Sequence, residues 1–441
     1  MSRRNRLSCL ILCLWPAALC AQSAADLAPI LERLDRLEQE NRAQAREISE
    51  LRAELAAARQ KPDAEQRLDV QGKRIEEQAQ TKVEASEKFP IRITGMALFN
   101  ASLDSRQGGG ADYPSVAALE PGSEHANGTL RQSTIGLEFF GPHTVLGGTV
   151  HGNVYMDFEA GSAPLAQEIR LRTGSIQIDW KSRHVLVGIE KPIFNPREPT
   201  SLAQVAVSPL TGAGNLWLWL PQAWFEQDLA VGQSSGVRAR MGVLETHETN
   251  PYDTTLFTGT LSPARPALEG RFEFFHNLDD TRRLEIAPGF HTSSTHVNGF
   301  SIPSDLFSVD WFFNPWQKLE FTGAFYSGEN VANLGTGAIN QGYELYRYYA
   351  EAIRSRGGWG QFTVHAAARV DVHLFTGQQD DNNAQLDSGD IGKNLIYGAN
   401  LFYRLAPNVI LAPELSQLRT LYLGHGVRIN NHYDLALAYL F

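Results

Sequence analysis

The sequence predicts an all-β transmembrane barrel of about sixteen antiparallel strands, preceded by an α-helical coiled coil. Three observations support this fold class: the last ten residues alternate like a lipid-facing strand, the same period of two recurs from Phe89 onward, and a heptad pattern occupies residues 26–61. After one short N-terminal apolar run, no stretch approaches the roughly eighteen apolar residues of a spanning helix. Only a closed barrel then pairs every backbone polar group inside a bilayer.

Residues 1–21 have the layout of a cleavable signal peptide for secretion. Three arginines precede an apolar run over residues 7–19, and small residues follow it. Cleavage after Ala21 is preferred, with Ala25 as an alternative and lipidation at Cys20 as another. All the cysteines lie in this segment, so the mature chain is expected to contain neither a disulfide nor a thiolate metal site.

Residues 22–88 are expected to form a periplasmic coiled coil and linker. A seam with alternating spacings of three and four predicts a self-associating helix, and it comprises Leu27, Ile30, Leu34, Leu37, Asn41, Gln44, Ile48, Leu51, Leu55 and Ala58. Asn41 and Gln44 are the polar pair expected to set register and oligomeric state. Pro62 ends the regular repeat. A single amphipathic helix packed on a core is the alternative.

Residues 89–441 are expected to form one outer-membrane barrel. Strand-like segments are joined by short and long connections in alternation, which is typical of periplasmic turns and external loops. The short connections include 277–281 and 355–358, and the long ones include 191–222, 292–299 and 327–340. Seven short and eight long connections give sixteen strands, with fourteen or eighteen as alternatives.

The C-terminal strand carries the clearest outward face, formed by Tyr433, Leu435, Leu437, Tyr439 and Phe441. In this strand, in residues 130–141 and in its overall architecture, the chain resembles the phosphate-selective O/P-type porins of Gram-negative outer membranes and related trimeric porins with an N-terminal coiled coil. The resemblance implies a homotrimer embedded in outer-membrane lipid and lipopolysaccharide. It also implies that Phe441, supported by Tyr439, is the signal read by the barrel-assembly machinery.

Candidate pore residues come from the inward strand parity and from the third long connection. The parity predicts charged wall positions at Asp157, Arg238, Arg240, His365, Arg369 and Asp371. The connection 191–222 is too apolar for a solvated loop, so it is expected to fold into the barrel, with Lys191, Arg197 and Glu198 at the constriction. The alternatives are a loop packed outside against a neighbouring subunit, and charges that only solvate a wet interior.

Charge limits what the family resemblance implies about solutes. The formal net charge is −10, and by count along the sequence the segment after residue 88 holds 24 basic and 34 acidic side chains. A net acidic barrel argues against a phosphate-selective arginine ladder, so no phosphate specificity is predicted.

The function expected from these patterns is a water-filled outer-membrane channel for passive diffusion of small polar or charged solutes, including ions. Neither a nucleophile motif nor a metal-binding or phosphate-binding motif is found, so no catalytic residue, metal, cofactor or nucleic-acid partner is predicted. One alternative is a structural tether, in which the coiled coil binds peptidoglycan and the barrel is an anchor. The other is a barrel hydrolase that uses His and Asp side chains.

The heptad seam gives a first testable prediction. Changing Leu34, Ile48 and Leu51 together to Asp should abolish self-association of an isolated 26–61 peptide, because charged side chains at seam positions lose the knobs-into-holes contact. Sedimentation equilibrium measures the oligomeric state. A wild-type peptide that is already monomeric at high micromolar concentration would contradict the coiled-coil interpretation.

Overall fold

The computed structural model describes residues 39, 42–51, 91–144, 146–161, 167–246, 262–263, 266–297 and 299–441. It divides into two units, residues 1–85 and 86–441. In the first unit, residues 42–51 are helical and include Gln44, whereas the signal segment, Asn41, Leu34 and most of 22–88 lie outside the described residues. No helix in the described ranges is both long and apolar enough to cross a membrane.

The second unit is built from β-strands. In chain order they are β1 (Ile91–Asp104), β2 (His125–Thr129), β3 (Thr134–His143), β4 (Thr149–Ala160), β5 (Glu168–Asp179), β6 (Arg183–Glu190), β7 (Leu220–Val231), β8 (Ser235–Leu244), β9 (Ser262–Pro263), β10 (Ala267–Asn277), β11 (Arg283–Val297), β12 (Phe300–Trp316), β13 (Leu319–Glu329), β14 (Tyr343–Leu345), β15 (Ala350–Ala352), β16 (Arg354–Ala367), β17 (Val370–Asp381), β18 (Ile391–Ala406), β19 (Val409–Tyr422) and β20 (Gly426–Leu440). Two short 3₁₀ helices, Ala332–Leu334 and Asn383–Gln385, lie in connections.

Sixteen of these strands form a closed antiparallel barrel. The sheet contains eighteen strands, of which the short β2 and β9 add only to its rim by pairing with β1 and β11. Each remaining strand pairs with the next one along the chain, and β20 returns to pair with β1 from Met96↔Leu440 to Asp104↔His432. The predicted strand number, antiparallel pairing and closure are confirmed for the described residues.

The two faces of the wall differ as the period of two predicts. In β20 the odd-numbered side chains, including Tyr433, Leu435 and Leu437, are exposed, while Ala436 and Asp434 point inward and are buried. The same outward row of large apolar side chains continues over the neighbouring strands, for example at Phe307, Phe325, Leu374 and Leu415. This outer face suits hydrocarbon, because no water is available there to solvate a polar group.

Several connections differ from those expected. Residues 355–358 lie inside β16, and the short turn is instead at Ala368 and Arg369. The long connection expected at 327–340 is observed at 330–353. The long connection expected at 292–299 is reduced to residues 298–299, because β11 continues to Val297. The turn at 368–369 contains no Gly, Pro, Asn or Asp and so gave no local signal.

A glycine on the strand next to β16 permits a close approach from inside the barrel. On β17, next to β16, Gly377 faces the interior, and a Cβ there would lie 2.2 Å from the carbonyl oxygen of Ala213. A loop inside the barrel therefore contacts the wall backbone directly, and small residues in this wall permit that approach.

Barrel closure gives a second prediction, on the terminal residue. The Phe441 N–H donates to the Gly95 carbonyl at 3.0 Å, and the Gly95 N–H donates to the Phe441 carbonyl at 2.9 Å. Deleting Phe441 should lower the amount of heat-modifiable barrel in membranes severalfold, because these closing bonds and a terminal outward aromatic are lost together. Phe441→Ala, which keeps the backbone bonds, should have a smaller effect.

The matched control is Tyr433→Ala, which removes an outward aromatic from the same strand without touching its end. Equal barrel levels in the deletion variant and in Tyr433→Ala would contradict a special role for the terminal residue.

Candidate functional site

The connection between β6 and β7, residues 191–219, lies inside the barrel and is called the inserted loop below. Its backbone is hydrogen-bonded by inward side chains from five strands of the wall: Glu269 of β10, Ser308 of β12, Gln361 of β16, Asn394 and Asn400 of β18, and Asn100 of β1. A segment that contacts so many sides of a closed barrel must cross its interior.

Apolar side chains hold the inserted loop against two parts of the wall. Phe194 and Leu216 pack with Leu306 and Tyr326, and Leu202 packs with Leu98 in a separate cluster. Each large side chain buried in this way stabilises the loop by about 1.5–3 kcal/mol. The apolar composition that predicted an inward loop is thus used for packing.

Leu210 shows how strongly the packing acts. Its φ is 59°, in the left-handed region, which costs a non-glycine residue about 1–2 kcal/mol. Its side chain is fully buried with Trp359, Phe375 and Ile396. The free energy gained by burying the Leu210 side chain is of comparable magnitude and offsets the backbone strain.

A second connection, residues 330–353, also packs inside the barrel against the inserted loop. The N–H groups of Trp217 and Leu218 both donate to the carbonyl oxygen of Leu334, at 3.1 and 3.2 Å. Leu334 is fully buried in the same cluster as Phe194 and Leu216. The two connections therefore form one packed layer inside the barrel.

This layer divides the interior unequally. On β11, β12 and β20 every second residue, the one that points inward, is buried over most of the strand. On β4, β5 and β8 most inward side chains are half-exposed. Glu269 and Asp310 are fully buried, but the Arg238 side chain remains 39% exposed. Water therefore reaches β4, β5, β8 and the Asp228 end of β7, whereas the inward side chains of β7 from Leu220 to Glu226 are buried. The gap between β4 to β8 and the inserted loop is called the passage.

A cavity of about 560 Å³ occupies the passage on the side of the short turns. It is lined by polar and charged side chains of the wall and by the start of the inserted loop: Asn153, Ser175, Gln177, His184, Glu190, Lys191, Glu226, Asp228, Arg238, Arg240, Arg271 and Glu273, together with Leu186, Pro196 and Trp224. Charges of both signs face water here, and they create a field across the passage.

Arg197 is not an open constriction charge. Its Nε donates to Asp310 at 2.6 Å, its Nη2 contacts Glu285 and Glu273, and its side chain is only 17% exposed. Arg271 pairs with the same Asp310 and Glu273. Breaking such a buried, shared ion pair is strongly destabilising, so Arg197 fastens the inserted loop to β10, β11 and β12.

Lys191 and Glu198, at the start of the inserted loop, are placed differently. They form an ion pair of 2.6 Å, and their side chains are 33% and 36% exposed. Ser208 also donates to Glu198 at 2.9 Å, which ties the pair to the middle of the loop. These two charges face the passage and retain access to water.

Two arginines that the sequence patterns did not identify lie beside them. Arg170 and Arg172 of β5 both bind the fully buried Asp157 of β4, at 2.6 and 3.0 Å. Their guanidinium groups lie 5.6 and 4.5 Å from the ring centroid of Trp219, as in cation–π contacts. Asp157 is thus a buried counter-charge that holds two partly exposed cations.

A β-bulge explains why these arginines were missed. Tyr155 pairs with Thr173 and Met156 pairs with Leu171, so Arg172 is an extra residue. Strict alternation from Ile176 would have placed Arg172 in lipid. An arginine on an apparent lipid face is itself the signal that a strand contains a bulge.

The other expected wall residues are spread over the barrel. Arg240 binds Glu226 at 2.8 Å over the Trp224 ring, and Arg238 contacts Glu273 and stacks on Phe275. His365 contacts Asp371 at 2.7 Å near the short turns on another part of the wall, and Arg404 binds the same carboxylate. Arg369 lies in the turn between β16 and β17 and is exposed, so it is not on the strand wall.

Near the long-loop end of the wall, Tyr113 donates a hydrogen bond to Glu159, and Arg131 contacts Glu159 at 3.4 Å and Asp112 at 3.9 Å. Burial, reinforced by the Glu159 carboxylate, raises the pKa of the Tyr113 hydroxyl well above its ordinary value. The contact between Tyr113 and Glu159 ties the loop that contains Tyr113 to β4.

No protein-family model and no curated protein sequence matches this chain. Solved structures do resemble it. The outer membrane channel DcaP of Acinetobacter baumannii has a TM-score of 0.67 at 13% identity, over 80% of this chain and 97% of that one. The anion-selective porin from Comamonas acidovorans has a TM-score of 0.53 at 12% identity, over 80% and 99%. The chain has the fold of these two channels.

The Arg197 cluster gives a third prediction. Arg197→Met should lower the free energy of unfolding by about 3 kcal/mol, because it leaves buried carboxylates without one of their cations. Urea titration of the protein in lipid vesicles measures this change. Arg183→Met, at an exposed position near a short turn, is the control and should change stability by less than about 0.5 kcal/mol.

Unchanged stability of Arg197→Met, combined with a large shift in ion selectivity, would show instead that Arg197 acts as a passage charge.

Proposed function

We propose that this protein is an outer-membrane porin that lets small polar or charged solutes diffuse through a water-filled channel. The observation that supports this most directly is the passage itself, a half-exposed, charge-lined gap between the inserted loop and β4 to β8. An apolar outer face surrounds the same barrel. Two of the structurally similar proteins are an outer membrane channel and an anion-selective porin.

The passage would act on a solute through charges that are fixed before the solute arrives. Arg170, Arg172 and Lys191 are cationic groups held by Asp157, Trp219 and Glu198. Because their positions are fixed by these contacts, a passing anionic or dipolar solute can exchange water for their donors without reorganising the wall. Glu198, Asp228 and Glu226 supply the opposite sign, which orients dipolar solutes.

We further propose the domain arrangement that the sequence patterns indicate. Residues 1–21 would direct export, 22–88 would form a periplasmic coiled coil, and 89–441 would span a Gram-negative outer membrane. Ile48 and Leu51 of the helical segment 42–51 are 51% and 39% exposed within a single chain, which favours a partner helix. A homotrimer would cover this seam, with lipopolysaccharide, the barrel-assembly machinery and peptidoglycan as further partners.

A fourth prediction tests the passage by removing one charge of the Lys191–Glu198 pair at a time. Lys191→Gln should make the channel more selective for cations, because the carboxylate of Glu198 then has no lysine partner. The zero-current potential in a salt gradient measures this selectivity. Glu198→Gln should make the channel more selective for anions, because the ammonium group of Lys191 then has no carboxylate partner. Both effects should shrink at high salt, where charges beyond a Debye length of about 3 Å at 1 M are screened.

Single-channel recording in planar bilayers gives both conductance and selectivity. Lys318→Gln, in the turn between β12 and β13, is the matched control and should leave the potential unchanged. Folded protein that forms no channel would refute the porin proposal, whereas channels with the same selectivity in both variants would place the pair outside the conducting path.

A further inference from the structure

Four inward side chains meet on three neighbouring strands where the passage approaches the short turns. Asp179 is the last residue of β5, His184 follows the start of β6, and Glu226 and Asp228 lie on β7. The pairing register places Asp179 opposite His184 and His184 opposite Glu226. Glu226 and Asp228 are two residues apart on one strand and therefore share a face.

The histidine ring is oriented by one of these carboxylates. His184 Nδ1 lies 2.6 Å from Asp179 Oδ1, and His184 Nε2 lies 3.6 Å from Asp228 Oδ2. A carboxylate that accepts the Nδ1–H of a histidine fixes the tautomer and leaves the Nε2 lone pair available, which is the arrangement found around metal-binding histidines.

The carboxylates also keep free ligand oxygens. Both Arg240 contacts to Glu226 are to Oε2, at 2.8 Å, so Oε1 can serve as a ligand. Asp228 Oδ1 is buried and accepts no hydrogen bond, and the nearest cation, Arg238 Nε, is 3.9 Å away. A buried oxygen without a donor is unfavourable, so this atom points to a missing positive partner.

We propose that His184, Glu226 and Asp228 bind a divalent transition-metal ion, with Asp179 as the group that positions the histidine. One ligand atom from each of the three residues can be chosen so that all lie within 4.8 Å of one another. One imidazole nitrogen and two carboxylate oxygens suit zinc or a neighbouring first-row ion.

Ligands about 2 Å from zinc are about 3.3 Å apart in tetrahedral geometry, so side-chain shifts of about 1 Å would close the site. The adjoining cavity, which all three residues line, leaves room for water as the remaining ligand.

The site lies on the wall of the passage, so occupancy would alter conduction. A dication beside Arg238 and Arg240 adds positive charge where Glu226 and Asp228 otherwise supply negative charge. Zinc should therefore lower cation permeability and reduce conductance. This inference goes beyond the proposed porin function, because binding of the metal can be measured without any flux.

Zinc binding is best tested on the purified full-length protein in detergent. Isothermal titration with ZnCl₂ and metal analysis after gel filtration should give one ion per chain, removed by a chelator. Cobalt(II) substitution should give the visible absorption bands of a four- or five-coordinate site, a readout that a loosely attracted ion would not produce.

Three variants and one control decide the assignment. His184→Ala and Asp228→Asn should abolish saturable binding, and Asp179→Asn should weaken it about tenfold because it only orients the ring. His276→Ala, an exposed histidine near another short turn, should bind zinc like the wild type. Heat-modifiability of each variant confirms that its barrel is folded.

The proposal is overturned if the wild type shows no saturable zinc binding, or if folded His184→Ala binds as tightly as the wild type. Zinc binding without any change in conductance would retain the site and refute its effect on the passage. Binding with no channel activity at all would refute the porin proposal alone.

Discussion

The closed ring of antiparallel backbone hydrogen bonds is the constraint on which the rest of this structure depends. A sheet edge inside hydrocarbon would leave unpaired N–H and C=O groups, each costing several kcal/mol. Pairing of β20 with β1 removes that edge. Once the ring is closed, alternate side chains must face either lipid or a central space of fixed width, so every inward residue becomes part of one shared interior.

How that interior is filled determines what its charges do. The inserted loop and residues 330–353 occupy the side of β10 to β20, where Arg197, Arg271 and Asp310 form a buried ion-pair cluster. Such a cluster needs every partner in place, and it serves to hold the loop. Most of the charges on β4 to β8 and the Lys191–Glu198 pair keep contact with water, whereas Asp157 and Glu226 are buried counter-charges. An acidic net charge for the whole chain therefore says little about selectivity in the passage.

In the passage wall, the register of neighbouring strands brings ionisable side chains into contact. Residues that pair across adjacent strands have neighbouring Cβ atoms, so His184 meets both Asp179 and Glu226 without any loop to bring them together. On β8, Arg240 pairs with Glu226, and Arg238 approaches Asp228. Cations and carboxylates thus compete for the same oxygens, which makes this part of the wall sensitive to whichever positive partner is present.

Local periodicity determined the fold class, the sixteen strands and the outward face of strands such as β20, because a period of two and a bilayer leave few alternatives. It could not locate the turn at Ala368 and Arg369, which lacks turn residues, or the bulge that brings Arg172 inward. Parity places a charge inside the barrel, but only the path of the inserted loop decides whether that charge is buried. Arg197 and Asp310 are 113 residues apart in sequence. Their contact exists only once the ring has closed around the loop, so the tertiary structure alone assigned Arg197 to anchoring and left Lys191 and Glu198 facing water.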